Sequence, residues 1–238
     1  MSTDLFDPLL PARVPVRGSD ALFPVHRIYC VGRNFAEHAR EMGADVPAAR
    51  GTPVFFLKPP DAVVTDGVVP FPPGTSELHH EVELVVAIGR DAPPGLLGRH
   101  EAQALVFGYG VGLDLTRRDL QAAAKAKGLP WDTGKAFDDS APVSALVPAT
   151  EVGDLAGRGL SLTVNRALRQ SGRLADLIWD VPEILRELSA LYALRAGDLV
   201  FMGTPAGVGP LRIGDTFVAS LEGVAELHGR IAPARRVR

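Results

Sequence analysis

The chain has 238 residues, enough to bury most of its apolar surface without disulfide or metal staples. Hydrophobic residues make up 46% and charged residues 22%, the balance of a globular protein, and a formal net charge of −3 with no basic block argues against a nucleic-acid partner. The single cysteine, Cys30, rules out an internal disulfide and fits a reducing compartment. No apolar run approaches the roughly 18 residues of a membrane span. The early acids and prolines of MSTDLFDPLLPARVPVRGSD do not form a leader pattern, so a cytoplasmic location is expected.

With 25 glycines and 20 prolines, turns must be frequent, which favours a β-rich fold. Residues 1–25 are expected to form an N-terminal arm or short hairpin ahead of one domain over residues 26–238. HRIYCVG (His26 to Gly32) reads as a buried strand. NFAEHAREMG reads as a helix with Asn34 as N-cap, Glu37 completing a capping box and Gly43 closing it. PVFFLKPP is a short strand, and AVVTDGVVPFP predicts a hairpin around Asp66-Gly67. LHHEVELVVAIG predicts one long strand, and the glycine-rich ALVFGYGVGLDLT another.

TRRDLQAAAKAKG has helical composition, with Thr116 placed to cap it and Gly128 to end it. SLTVNRALRQSG predicts a hairpin turning at Asn165-Arg166, and DVPEILRELSALYAL an amphipathic helix capped by Asp180 with Glu183 completing the box. The remainder alternates strand and turn. Many strands with few helices predict an α+β, β-rich fold, a mixed roll or sandwich.

The chemistry concentrates in a few stretches. On a strand, residues i and i+2 share a face, so Glu81 and Glu83 project together. Two neighbouring carboxylates in an apolar strand repel each other unless one is protonated or a cation lies between them. Asp114, ending the GVGLDLT strand, is a candidate third ligand. Three carboxylates without Cys/His pairs at zinc spacing point to a hard cation, Mg²⁺ first, with Mn²⁺ and Ca²⁺ as alternatives. A solvated glutamate face remains the competing reading of EVE, although LVVAIG, which follows, is apolar on both faces. His79 and His80 read as supports and not as ligands.

His38 and Glu41 lie three apart on a predicted helix and so face one way, either as a general base with its orienting carboxylate or as a surface pair. Lys135, in WDTGKAFDDSAP, is either a surface lysine or a group that holds a substrate oxyanion. GTPAGVG (Gly203 to Gly209) is a tight turn, or a turn whose backbone N–H groups and Thr204 hold a carboxylate. It is no P-loop, since no Gly-Lys-Ser/Thr follows.

Taken together, CVGRNFAEHAREM, FFLKPP, LHHEVELVVAIG, GYGVGLDLTRRDLQ, KGLPWDTGKAFDDSAPVS and GDLVFMGTPAGVGP resemble the fumarylacetoacetate hydrolase superfamily, in its order and over nearly the whole chain. The single-domain length and LTRRDLQ…KGLPWDTGKAFD are most similar to the acylpyruvate hydrolase branch, above all the bacterial fumarylpyruvate hydrolases. One departure is local: the family often has Thr-Gly-Thr-Pro where this chain has Met202-Gly203-Thr204-Pro205.

The resemblance implies a β-roll, a homodimer, and a catalytic domain over 26–238. It implies Glu81, Glu83 and Asp114 as metal ligands, and His38 and Glu41 as a water-activating dyad on a lid helix. Lys135 becomes the catalytic lysine, and Arg118, Gln121 and Thr204 become substrate contacts. Arg33 and residues near Asp176 to Trp179 are expected in the pocket walls. The implied reaction is metal-dependent C–C hydrolysis of a 2,4-diketo acid. The rivals are oxaloacetate decarboxylation, a 2-oxo-heptenedioate-type isomerisation or decarboxylation, and a non-catalytic β-fold with a structural cation.

Overall fold

The computed structural model describes residue 5, residues 10–41 and residues 50–235. The chain opens on two short antiparallel strands, β1 (Arg13–Pro15) and β2 (Leu22–Pro24). Then come β3 (Arg27–Gly32), helix α1 (Ala36–Glu41), β4 (Val54–Lys58), β5 (Val63–Val64) and β6 (Val68–Pro70). The middle of the chain runs through β7 (Leu78–His80), β8 (Val82–Ile88), α2 (Arg99–Ala104), β9 (Val106–Leu113), β10 (Thr116–Arg117), α3 (Arg118–Ala126) and α4 (Asp132–Lys135). After β11 (Ala141–Pro142), β12 (Val147–Pro148) and α5 (Ala149–Val152) come the hairpin β13 (Gly159–Val164) and β14 (Ala167–Arg173), and α6 (Val181–Ser189). The chain ends on β15 (Asp198–Phe201), β16 (Gly209–Pro210), β17 (Thr216–Leu221) and β18 (Ala225–Ala232).

A six-stranded mixed sheet, in the order β12-β9-β8-β15-β3-β4, forms the centre. Leu84, Val86 and Ile88 of β8 point into one core with Leu160, Leu162, Phe217 and Leu221 of the five-stranded sheet β14-β13-β17-β18-β6. Val85 and Ala87 point into a second core with Ile28, Cys30, Leu199 and Phe201, closed by Val14 and Phe23 of the β1–β2 hairpin. Burial on both faces explains why the β8 sequence is apolar without alternation. On the five-stranded sheet one face is wet, and β13 and β17 alternate buried and half-exposed residues. The fold is thus β-rich α+β, as the turn frequency predicts. Among the described residues, no helix is long and apolar enough to cross a membrane.

The hairpin turn at Asn165-Arg166 forms with both residues at positive φ, 51° and 66°, as a two-residue primed turn requires. Asp180 caps α6 by accepting from the Glu183 N–H, and Glu183 returns a bond to the Asp180 N–H. The helix stops at Ser189, short of the predicted run to Leu194.

Four local expectations are corrected. Residues 63–70 are not a hairpin: β5 pairs in parallel with β11 and β6 in parallel with β18, so the Asp66-Gly67 turn passes between two sheets. LHHEVELVV is two strands, because the chain changes sheet at Glu81, between β7 and β8. Thr116 does not cap α3. It lies in β10, its hydroxyl donates to the Asp114 carbonyl, and the cap position falls to Arg117.

Asn34 does not cap α1 either. Its amide N–H₂ donates to the carbonyls of Met202 (2.8 Å) and Trp179 (3.0 Å), and its oxygen accepts from the Trp179 N–H (2.8 Å). The side chain thus ties three chain segments together at the foot of α1. Gly43, the expected helix stop, lies outside the described residues.

Replacing Asn34 with Ala strands the Met202 and Trp179 carbonyls and the Trp179 N–H. The expected loss is about 2 to 3 kcal/mol of unfolding free energy in urea titration. A change below about 0.5 kcal/mol would show that these bonds do not hold the segment.

Candidate active site

One end of the central sheet builds the site. There β8 begins, its neighbours β9 and β15 end, and β3, parallel to β15, ends beside them. Glu81 lies just ahead of β8 and Glu83 on it, Asp114 leaves β9, Thr204 follows β15, and Arg33 and α1 follow β3. A small sheet, β10-β7-β16, ties the same segments a second time. β7 leads into Glu81, β10 connects Asp114 to α3, and β16 closes the glycine-rich turn. A backbone bond from the Asp114 N–H to the Glu81 carbonyl (2.8 Å) fixes the two acids relative to each other.

Glu81, Glu83 and Asp114 are 5%, 2% and 0% exposed, and their carboxylate oxygens lie within 4.8 Å of one another. Three cations face them. Lys135 Nζ donates to Glu81 Oε2 (2.7 Å) and Asp114 Oδ2 (2.5 Å), Arg118 donates to Glu81 Oε1 (2.6 Å), and Lys58 Nζ lies 2.9 Å from Asp114 Oδ1. Lys58 Nζ also donates to the carbonyls of Leu115 and Lys135, and Asp114 Oδ1, though ion-paired with Lys58, accepts no well-aligned hydrogen bond.

Burial pushes Glu81 up, but Lys135 and then Arg118 outweigh it and hold its carboxyl well below the usual range. Glu83 has only the Gly203 N–H (2.8 Å), and burial, then Asp114 and Glu81, drive it well above that range. Burial lowers Lys135, but Asp114 and Glu81 more than compensate and raise it. The donor set therefore fits a divalent cation on this chain's own evidence. It consists of oxygens alone, one accepts no well-aligned hydrogen bond, Glu83 has no cation of its own, and an ammonium group bridges two of the three carboxylates.

His38 and Glu41 do share a face of α1. His38 Nδ1 is 3.1 Å from Glu41 Oε2, and Glu41 in turn accepts from the Gly207 N–H (3.0 and 3.2 Å). His38, Lys135, Arg118, Gln121, Thr204 and Arg33 line one cleft above the three carboxylates, while Glu41 stands behind His38. Arg33 has a φ of 60°, a left-handed conformation that costs a non-glycine residue about 1 kcal/mol. Arg118 also donates to Gln121 Oε1 (2.6 Å), which fixes that amide.

The glycine-rich turn is tight, one of its two expected readings. The N–H groups of Gly203 and Gly207 hold the protein's own Glu83 and Glu41 instead of offering a cradle to a ligand carboxylate. Gly203 and Gly207 have φ of 93° and 96°, and a Cβ at Gly207 would come 2.3 Å from the Arg169 carbonyl. Residues 176–179 are not in the cleft wall. Ile178 and Trp179 are bonded to Asn34, and Leu177 bridges to Phe35.

The histidines of β7 are held as neutral supports. Burial, then Arg118, pushes His79 down to about 4, and burial lowers His80. His80 Nδ1 lies 2.9 Å from Gln170 Oε1, which also accepts from the Val82 N–H. Gln170 then donates to Thr204 Oγ1 and the Pro205 carbonyl, both at 2.8 Å. Sequence reasoning missed Gln170, Lys58 and Lys125. A lysine ending the apolar VFFLK strand was a usable signal for Lys58. The polar β14 sequence, ALRQSGR, gave none for Gln170, the single fully buried residue of that strand.

Known proteins share this arrangement of chain. The family model described as fumarylacetoacetate (FAA) hydrolase C-terminal matches residues 27–232. A fumarylpyruvate hydrolase of Ralstonia sp. is 42% identical over 195 residues, 81% of this chain and 100% of the relative. An oxaloacetate tautomerase of Escherichia coli (strain K12) is 41% identical over 203 residues, 84% of this chain and 90% of the relative. The crystal structure of fumarylpyruvate hydrolase from Pseudomonas aeruginosa in complex with Mn²⁺ and pyruvate matches with a TM-score of 0.92 at 44% identity, over 97% of this chain and 100% of that one. With most of its length matched in sequence and in backbone, the chain belongs to the fumarylacetoacetate hydrolase family.

Proposed function

We propose that the protein is a divalent-metal-dependent hydrolase that cleaves the C–C bond of acylpyruvates, splitting fumarylpyruvate into fumarate and pyruvate. The observation that carries this reading is the meeting, in one cleft, of three buried carboxylates, a buried lysine and a histidine held by a glutamate. The relatives named fumarylpyruvate hydrolase, one of them crystallised with Mn²⁺ and pyruvate, support it. Glu81, Glu83 and Asp114 would hold the ion, and their all-oxygen set favours Mg²⁺, with Mn²⁺ next. When bound, the ion supplies Lewis-acid stabilisation to charge developing on the pyruvate half.

The chain's own residues divide the remaining work. Thr204 Oγ1 already accepts from Gln170, so its hydroxyl proton is left to donate to the substrate's pyruvate carboxylate. Gln121, its oxygen held by Arg118, presents its N–H₂ group to a substrate oxygen. With its Nδ1–H given to Glu41, His38 keeps a lone pair on Nε2 and takes a proton from water. The hydroxide adds to the acyl carbonyl. Lys135 uses two of its three N–H bonds on Glu81 and Asp114, and the third donates to the oxyanion. Collapse breaks the bond to the pyruvate methylene. The proton on His38 passes to that carbon, giving pyruvate and a carboxylic acid.

A second reading is keto–enol exchange on oxaloacetate, favoured by the E. coli relative of that name. It moves a proton between carbon and oxygen and consumes no water, so pyruvate release separates the two. A homodimer fits the exposed edge strand β4, where Leu57 is 43% exposed. Light scattering at the monomer mass would remove that part of the reading.

With Mg²⁺ present, the chain should bleach a 2,4-diketo acid and release pyruvate. Exhaustive EDTA treatment should abolish this and added Mg²⁺ restore it, whereas full activity after EDTA would remove the metal from the reaction. His38→Ala should lower kcat on acylpyruvate by about 10²- to 10⁴-fold with little change in KM. An unchanged hydrolysis rate in that variant would exclude His38 as the base.

A further inference from the structure

Of the four lysines and arginines lining the cleft, Lys135 and Arg118 are committed to carboxylates, as is Lys58 buried behind the acids. Lys125 and Arg33 also face the cleft, and among the described residues neither is paired with an acid. Lys125 sits on α3 four residues after Gln121, so it emerges on the same helix face, one turn on. It is half-buried, and its Nζ lies 4.9 Å from the centre of the Trp131 ring. Burial, then Arg118, and further Arg33 and Lys135, lower its proton affinity, with Glu81 opposing them. An ammonium group is thus held by an aromatic face beside other cations, with no carboxylate against it. Arg33 is exposed just after β3, with a left-handed backbone.

The cleft is therefore acidic at its floor and cationic nearer the solvent. Phe56 and Trp131, with ring centres 6.0 Å apart, form an aromatic wall beside Lys125. A ligand that satisfies all three zones has an oxygen-rich head, an unsaturated or flat middle and a second anion at its far end. Resting on the acylpyruvate reading above, we infer that Lys125, with Arg33 beside it, binds the carboxylate at the far end of the acyl group. These two residues thereby select acylpyruvates whose acyl chain ends in a carboxylate over those with a neutral alkyl end.

The test compares Lys125→Met, which keeps the apolar stem against Trp131, with Lys125→Arg, which keeps the charge. On fumarylpyruvate the Met variant should lose about tenfold or more in kcat/KM, through KM, with kcat held. On acetylpyruvate, which lacks the far carboxylate, it should match the wild type, and Lys125→Arg should recover most of the loss. Equal losses on both substrates, or no loss on either, would overturn the assignment.

A binding measurement separates this from the catalytic reading. By calorimetry with Mg²⁺ present, the wild type should bind fumarate at least about tenfold tighter than crotonate, which has a methyl in place of one carboxylate. Lys125→Met should erase that difference. Persistence of the difference in Lys125→Met, or its absence in the wild type, sinks the carboxylate subsite. A chain that shows the difference yet releases no pyruvate would retain the subsite and refute the hydrolase.

Discussion

Everything at the cleft follows from burying three carboxylates within 4.8 Å of one another. At such spacing two like charges repel by about 4 kcal/mol, even with an effective dielectric constant of 20. Desolvation adds a further cost for each. The chain offsets this with three buried cations, so that Lys58, Lys135 and Arg118 formally balance Glu81, Glu83 and Asp114. The balance is uneven in space. Glu81 receives two cationic hydrogen-bond donors and Glu83 a single backbone N–H, so Glu81 is driven towards the charged form and Glu83 away from it. A further positive charge among these oxygens would relieve the acid that the protein's own cations leave exposed to its neighbours.

That arrangement needs a scaffold that resists the repulsion. Adjacent strands of one sheet supply it, since β8, β9, β15 and β3 end or begin side by side and are buried on both faces. Shifting any one of them would break its ladder and two cores at once. The loops that leave this edge are then pinned by side-chain bonds to backbone. Asn34 holds the start of α1 to the end of β15, and Gln170 holds the start of β8 to Thr204 and Pro205. The glycine-rich turn joins the same network from the other side, because its N–H groups anchor Glu83 and Glu41. A carboxylate of the buried triad and the partner of His38 thus hang from one turn.

The sequence was most legible where a charge interrupts an apolar pattern. EVE ahead of LVVAIG marked the paired acids, and the buried run that follows excludes a solvated face, since β8 has a core on each side. The strand itself was misread, because LHHEVELVV carries no glycine or proline at the point where the chain passes from the small sheet to the large one. Asp66-Gly67 misled in the opposite way: a turn signal fixes local geometry but does not say which strands pair. Thr116 and Asn34 are good cap residues whose side chains found other partners, a tertiary effect that local spacing does not encode. Gln170 was invisible for the same reason, as its role depends on β14 folding back over the start of β8.

The polarity of the cleft changes along its length, and this bears on how a substrate is aligned before any bond breaks. A floor of acids favours a cation and, through it, an electron-rich chelating head; Arg33 and Lys125 nearer the solvent favour an anion. A dianionic substrate of this class carries a carboxylate at each end, and only its pyruvate end adds a neighbouring oxo group that can chelate a cation held by the acids. Charge would thus align the long axis of such a substrate, and chelation would choose its direction. The groups proposed for chemistry, His38 and Lys135, then meet the acyl carbonyl without having to select the orientation themselves. Their geometry can be spent on the transition state, where hydrogen bonds that strengthen as charge develops have their largest effect.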